Sequence, residues 1–146
     1  MKRLAILFTF FLVSFNGFCD TINYWHVYIN DELVAKFDEN SKDLTLKIKK
    51  SDLKESDLIT VRYFSDTPCI DCLHKLNVFA EIKQQLPHAE TKEHFGKLSI
   101  PIKDLLAIKK RYEITKFPFT YYVRYESTDD VPLETKERLV LILQLI

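Results

Sequence analysis

The sequence predicts an all-β protein, an antiparallel β-sandwich of seven or eight short strands forming one domain. Three observations carry that expectation. Apolar residues recur at every second position through several short stretches, as half-buried strands require. Asn, Asp and Pro stand between those stretches and supply the turns, since only two glycines exist. The chain has 146 residues, and with 1–19 read as a leader, 20–146 is left as a single domain.

The leader comes first in the chain. Lys2 and Arg3 form a charged start, and the apolar run Leu4 to Phe15 is broken only by Thr9 and Ser14. Gly17 and Cys19 put small residues where a signal peptidase reads them, before a cut at Asp20. The run is too short for a bilayer core of about 30 Å, so a cleaved signal peptide is the expectation, with no transmembrane segment in the mature chain. The domain should then be secreted or periplasmic. Cys19 admits a second route, lipid anchoring as in bacterial lipoproteins, although Phe18 is large for the position before a lipidated cysteine.

The strands follow in order. Trp25, Val27 and Ile29 alternate with His26 and Tyr28, and Leu33, Ala35 and Phe37 resume after Asn30-Asp31, which reads as a hairpin. Leu44, Leu46 and Ile48 alternate with Thr45, Lys47 and Lys49, one wet face and one buried. Ser51 to Asp57 is a polar turn, and Leu58 to Phe64 is β-branched and aromatic enough for a more central strand. Leu98, Ile100 and Ile102 alternate around Pro101, which cannot donate to a ladder and belongs at an edge. Residues 104–112 have helical propensity, with Asp104 near the start. Phe119 to Tyr125 is an aromatic strand, Asp129 to Pro132 a loop, and Leu139 to Leu145 an inner strand apolar on both faces. Residues 73–86 fit both a strand (Leu76, Val78, Ala80, Ile82) and a helical stripe (Cys72, Leu76, Phe79, Ile82, Leu86).

Composition excludes several functions. Gly96 is the one glycine beyond the leader, and phosphate-cradling loops and nucleophile elbows need clustered glycines for tight turns and close backbone approach. P-loop NTPases, standard dinucleotide binders and GxSxG hydrolases are therefore ruled out. The whole chain balances 21 basic against 21 acidic residues. Without Lys2 and Arg3 the mature chain has 19 basic residues and a net charge of −2, which does not suit nucleic-acid binding by counterion release.

The cysteines carry the most obvious chemistry. Cleavage before Asp20 leaves Cys69 and Cys72, an even number in an oxidising compartment. A pair at this spacing on a helix N-terminus has a lowered thiolate pKa, because the free backbone N–H groups stabilise the negative sulfur. From residue 58 to 125 the chain resembles the core of a thioredoxin-like oxidoreductase. Ile59 to Phe64 is similar to that family's central strand, Val78 to Ile82 to the helix after its motif, and Arg111 to Pro118 to the approach to its cis-proline. That resemblance implies an α/β fold and a thiol–disulfide oxidoreductase with Cys69 as nucleophile, Cys72 as resolving thiol and Pro118 facing them. Trp25 to Asn30 together with Asp66-Thr67-Pro68-Cys69 and Cys72 also resembles small uncharacterised secreted β-sandwich proteins of bacterial type. The second resemblance implies a Cys69–Cys72 disulfide in a tight turn between strands and no known activity.

Two further constellations complete the reading. Tyr24, His26 and Tyr28 share the face opposite Trp25, and exposed aromatics on a sheet can stack on glycans or anchor a protein partner. Cys69, Cys72, His88 and His94 fall at the edge of a zinc-site spacing, but an exported pair of thiols is more simply oxidised and His88 and His94 read as solvated loop residues. No metal and no cofactor are expected. The functional expectation is an exported, non-enzymatic domain of the immunoglobulin-like sandwich class, binding or envelope-associated, with an unknown protein or glycan partner.

Overall fold

The computed structural model describes residues 22–66, 69, 71–80, 86–125 and 137–146. The leader and the loop expected at Asp129 to Pro132 lie outside them. Nine strands and one helix fill the described residues: β1 Tyr24–Ile29, β2 Glu32–Asp38, β3 Thr45–Ile48, β4 Leu58–Phe64, β5 Cys72–Val78, β6 His88–Thr91, β7 Leu98–Pro101, α1 Ile102–Tyr112, β8 Lys116–Tyr125 and β9 Arg138–Leu145. They form one sheet of order β2-β1-β4-β7 and a second of order β3-β9-β8-β5-β6. The fold is an all-β sandwich, as the period-two pattern requires.

Alternation builds the core. Trp25 and Val27 from β1, Ile59 and Val61 from β4, and Leu98 and Ile100 from β7 are buried on the inner face of the first sheet. Leu76 and Val78 from β5, Phe117 and Phe119 from β8, and Leu141, Leu143 and Leu145 from β9 meet them from the second. A register shift between Phe119 and Thr120 leaves Val140 as the extra residue of β9, and it too is buried. The Trp25 indole N–H donates to the Val140 carbonyl, a hydrogen bond that crosses from one sheet to the other at this bulge. A large aromatic is thus fixed in both packing and polarity at the sandwich centre.

The turns use the residues the sequence offers. Asn30 closes the β1–β2 hairpin at a left-handed φ of 54°, which Asn tolerates better than most residues. Its amide also ties the hairpin to β4, accepting from the Leu58 N–H at 3.1 Å and donating to Asp57 at 3.2 Å. Those bonds hold the Asp57 carboxyl below its usual range, the Lys54 backbone N–H contributing most. After β7, Pro101 breaks the ladder at a sheet edge and α1 begins, with the Ile102 N–H bonded to the Asp57 carbonyl at 2.9 Å. Ile102, Leu105 and Ile108 recur at helical spacing and are buried, so α1 plugs this end of the sandwich.

Four expectations are corrected. The strands number nine rather than seven or eight among the described residues, because His88–Thr91 pairs with β5 instead of forming a solvated loop. The sandwich is not wholly antiparallel, since β3 runs parallel to β9. Cys72–Val78 is a strand and not the helix that the thioredoxin-like resemblance needs. Pro118 lies within β8 opposite Ile142, and no peptide bond among the described residues is cis. The α/β alternative ends there: β5 is tied to both β6 and β8, so its alternation and not its helical stripe decides.

Candidate functional site

Two features at the end of the sandwich opposite α1 gather the chemically versatile side chains. The first is the outer face of β1 and β4. Tyr24, His26 and Tyr28 alternate outward from buried Trp25 and Val27, and the register sets Phe64 opposite Tyr24 and Arg62 opposite His26. Tyr24 and Phe64 stack with centroids 4.9 Å apart and planes 12° from parallel. The His26 ring stands 5.1 Å from Phe64 and 5.5 Å from Tyr24. The Tyr28 hydroxyl and His26 Nδ1 are 3.4 Å apart. The Arg62 guanidinium sits over Phe64 at 5.5 Å, and its Nε donates to the Phe95 carbonyl at 3.4 Å. Burial and the nearby Lys36 and Arg62 charges lower the His26 pKa, so His26 is neutral at pH 7.

The second feature is a cavity of about 160 Å³ between the ends of the two sheets, lined by Tyr63, Cys69, His74, His94, Phe95 and Tyr121 among others. Cys69 and Cys72 are joined as a disulfide, with Cα atoms 5.7 Å apart. Cys72 opens β5 on its inward face and is buried, while Cys69 is half-buried and reaches the cavity wall. His74 follows two residues later on the same face, in phase with Cys72, Leu76 and Val78. Only 7% of it is exposed. Across the cavity Tyr63 and Tyr121 stack at 4.2 Å. The exposed His94 lies 6.3 Å from His74, ring to ring, and 3.7 Å from Phe95.

A hydrogen bond to Tyr121 anchors His74. Its Nδ1 lies 2.6 Å from the Tyr121 hydroxyl. Burial, reinforced by Tyr63, pushes the Tyr121 pKa far up, so the hydroxyl keeps its proton. A protonated hydroxyl both donates and accepts: with the hydroxyl donating, Nδ1 accepts and Nε2 carries the imidazole proton, and in the other tautomer Nδ1 donates. Burial lowers the His74 pKa and His94 lowers it further, which keeps the ring neutral. Nε2 is buried with no hydrogen-bond partner among the described residues. A buried polar atom left unpaired costs about 1–3 kcal/mol, a cost that a partner entering the cavity would remove.

The loop at the cavity mouth is held by close packing. Phe95 has a left-handed φ of 60°, a strained conformation for an aromatic residue. Gly96 follows because a Cβ there would lie 2.7 Å from Thr91 Cγ2 and 2.9 Å from the Glu93 carbonyl oxygen. Phe95 belongs to both features, since its ring is 5.3 Å from Phe64 and also lines the cavity.

The residues singled out in the sequence are partly brought together. Tyr24, His26 and Tyr28 form one surface, and Cys69 and Cys72 form one bond. Pro118 belongs to neither. It lies seven residues from Tyr125, the partner of Cys72, which is about 23 Å along β8. His88 points its Nε2 at Glu90, 4.0 Å away, and no three His, Cys, Asp or Glu side chains among the described residues are placed to hold a metal. His74, Tyr121 and Phe95 were missed. Alternation with Cys72, Leu76 and Val78 marks His74 as the one titratable residue on the inner face of β5, and that signal was available.

A larger open groove of about 640 Å³ runs beside α1, lined by Pro87, His88, Asp104 and Arg111 among others, and none of its polar side chains is buried. No helix among the described residues is long and apolar enough to cross a membrane. Compared with protein-family models, with curated proteins and with solved structures, the chain matches none of them.

Proposed function

We propose that the mature chain is an exported, non-enzymatic binding module that docks a protein partner on the outer face of β1 and β4. The observation that carries this reading is the aromatic and cationic surface of Tyr24, His26, Arg62 and Phe64. Tyr and Arg with aromatic neighbours are the residues that concentrate binding energy in protein interfaces. A protein suits the face better than a glycan. A pyranose stacks on a free ring face, but Tyr24 and Phe64 already cover one another and Arg62 lies over Phe64, which leaves ring edges and cations for the partner. Ring edges carry the positive side of the aromatic quadrupole, so with Lys36 and Arg62 the surface favours an acidic protein segment. Export rests on the leader at 1–19.

Site-specific photocrosslinking tests the reading in the native host. A crosslinker at Tyr24 should give a protein adduct of defined mass that a crosslinker at Lys47, on the other sheet, does not give. Arg62→Glu should abolish it. An adduct containing only carbohydrate, or none from either position, defeats the proposal. The intact mass of the same sample gives the leader's fate: a chain starting at Asp20 supports export by cleavage, and lipid on Cys19 redirects it to an anchored form.

A further inference from the structure

We propose that the Cys69–Cys72 disulfide is exchange-active toward a dithiol partner, with His74 as the positioning residue that receives the departing Cys72 thiolate. The inference is independent of the docking face and rests on the cavity. The two sulfurs are unequal: Cys69 is half-buried on the cavity wall, whereas Cys72 is 1% exposed. An incoming thiolate therefore meets Cys69. Its electron pair forms a bond to Cys69 Sγ, the Cys69–Cys72 bond breaks, and Cys72 departs with the electron pair as a thiolate. The partner's second thiol, deprotonated, then attacks its own sulfur in the mixed disulfide and Cys69 departs. The partner dithiol loses two electrons and two protons and becomes a disulfide, and Cys69 and Cys72 take up both.

The structure provides for the charge that the first step creates. Cys72 and His74 lie on the same inward face of β5, two residues apart. With the Tyr121 hydroxyl donating to Nδ1, the imidazole proton stands on Nε2, which has no partner among the described residues. A thiolate released two residues away on that face is the acceptor assigned to it, and a hydrogen-bond donor at a sulfur lowers the thiol pKa and improves it as a leaving group. In the oxidised protein the donor waits; reduction supplies its partner. Among the described residues the titratable groups that share the cavity with His74 are Tyr63, Cys69, Tyr121 and His94, and none of them is a carboxylate.

Reduction of the full-length protein by dithiothreitol, followed by quenching with an alkylating agent and intact mass, tests the proposal. Wild type should reduce on the order of tenfold faster than His74→Phe, while His74→Gln, which retains an N–H donor, should recover most of the rate. In a Cys69→Ser background the thiolate absorbance of Cys72 should titrate about one pH unit lower with His74 than with Phe at that position, which a packing role alone would not produce. Equal rates in wild type and His74→Phe overturn the proposal. Where His74→Phe does not fold, the single-cysteine proteins decide. Oxidised glutathione should label Cys69 in Cys72→Ser on the order of tenfold faster than Cys72 in Cys69→Ser, and the reverse order is fatal.

Discussion

The two ends of the sandwich are closed by opposite means. At one end α1 lays Ile102, Leu105 and Ile108 across the gap between the sheets, and Ile102 and Leu105 have no exposed surface at all. At the other end a stacked tyrosine pair, an imidazole and a disulfide surround a cavity of about 160 Å³. An apolar plug removes area from water and asks for no hydrogen bonds. A polar closure gains less from burial and leaves one imidazole nitrogen unpaired, which is poor stabilisation but useful chemistry. One end serves stability and the other reactivity.

The largest effect that would break this comparison lies at the helix end. Leu105→Ala should cost about 2–5 kcal/mol of unfolding free energy in urea melts, the usual range for a fully buried leucine. Tyr121→Phe, at the cavity end, should cost about 1–3 kcal/mol by leaving His74 Nδ1 without its partner. If the tyrosine change proves the more damaging of the two, the division of labour between the ends is wrong. Dithiothreitol reactivity should respond in the opposite order, changing with Tyr121→Phe and not with Leu105→Ala.

The same contrast shows what sequence could reveal. The helix end was legible: Pro101 marked an edge, Asp104 marked a helix start, and apolar spacing marked the buried stripe. Most strands were legible too, because Trp25, Ile59 and Leu98 alternate with polar neighbours. What sequence concealed was pairing between distant segments. Nothing local tells β3 to run parallel to β9, or sets Tyr63 on Tyr121 across the sandwich. The cavity is a product of such pairings, so of its members only Cys69 and His94 stood out beforehand, His94 as one member of a zinc-like spacing. The strand at His88–Thr91 was hidden for another reason: its four residues are polar or small and form an outer strand of the second sheet, where no alternation of large apolar residues is needed.

The mouth of the cavity should break next. Gly96→Ala forces a Cβ against Thr91 and the Glu93 carbonyl oxygen, and overpacking of this kind costs about 1–3 kcal/mol. Because Phe95 precedes it, the substitution should also shift the ring that lies between Phe64 and the cavity. Urea melts read the stability loss, and the dithiothreitol rate reads the displacement. A protein with wild-type stability and wild-type rate would mean that the loop yields and that Phe95 is not held where the cavity needs it.

Acidification should separate the two ends without any mutation at the helix. His74 and His26 are both held neutral in the fold, chiefly by burial, while the unfolded chain takes up protons near pH 6.5. A folded pKa below the unfolded one means that the unfolded state binds more protons in the interval between them. Stability should therefore be level above about pH 7 and fall as pH drops below about 6.5, by at most about 1.4 kcal/mol per pH unit for each histidine. His74→Gln should flatten the decline more than His26→Gln, since His74 is the more deeply buried. Equal profiles for wild type and His74→Gln would show that the cavity tolerates an imidazolium, and the neutral donor assigned to His74 would then be wrong.

The smallest effect concerns how α1 ends. Glu113 closes the helix at a left-handed φ of 57°, a conformation that costs a residue with a side chain about 1 kcal/mol. Glycine adopts it freely and is the usual residue at this position. Glu113→Gly removes that strain but gives the unfolded chain more freedom, worth about 0.5–1 kcal/mol in the other direction. Loss of the acidic side chain beside the negative helix terminus adds a few tenths of a kcal/mol in favour of the variant. The balance is a stabilisation of about 0.5 kcal/mol, read as a small rise in the urea midpoint at unchanged slope. The disulfide reduction rate should not move, because no part of that change reaches the opposite end of the sandwich. If it does move, the two ends are coupled through β8, the strand that runs from just past Glu113 to the partner of Cys72, and they can no longer be treated as separate devices.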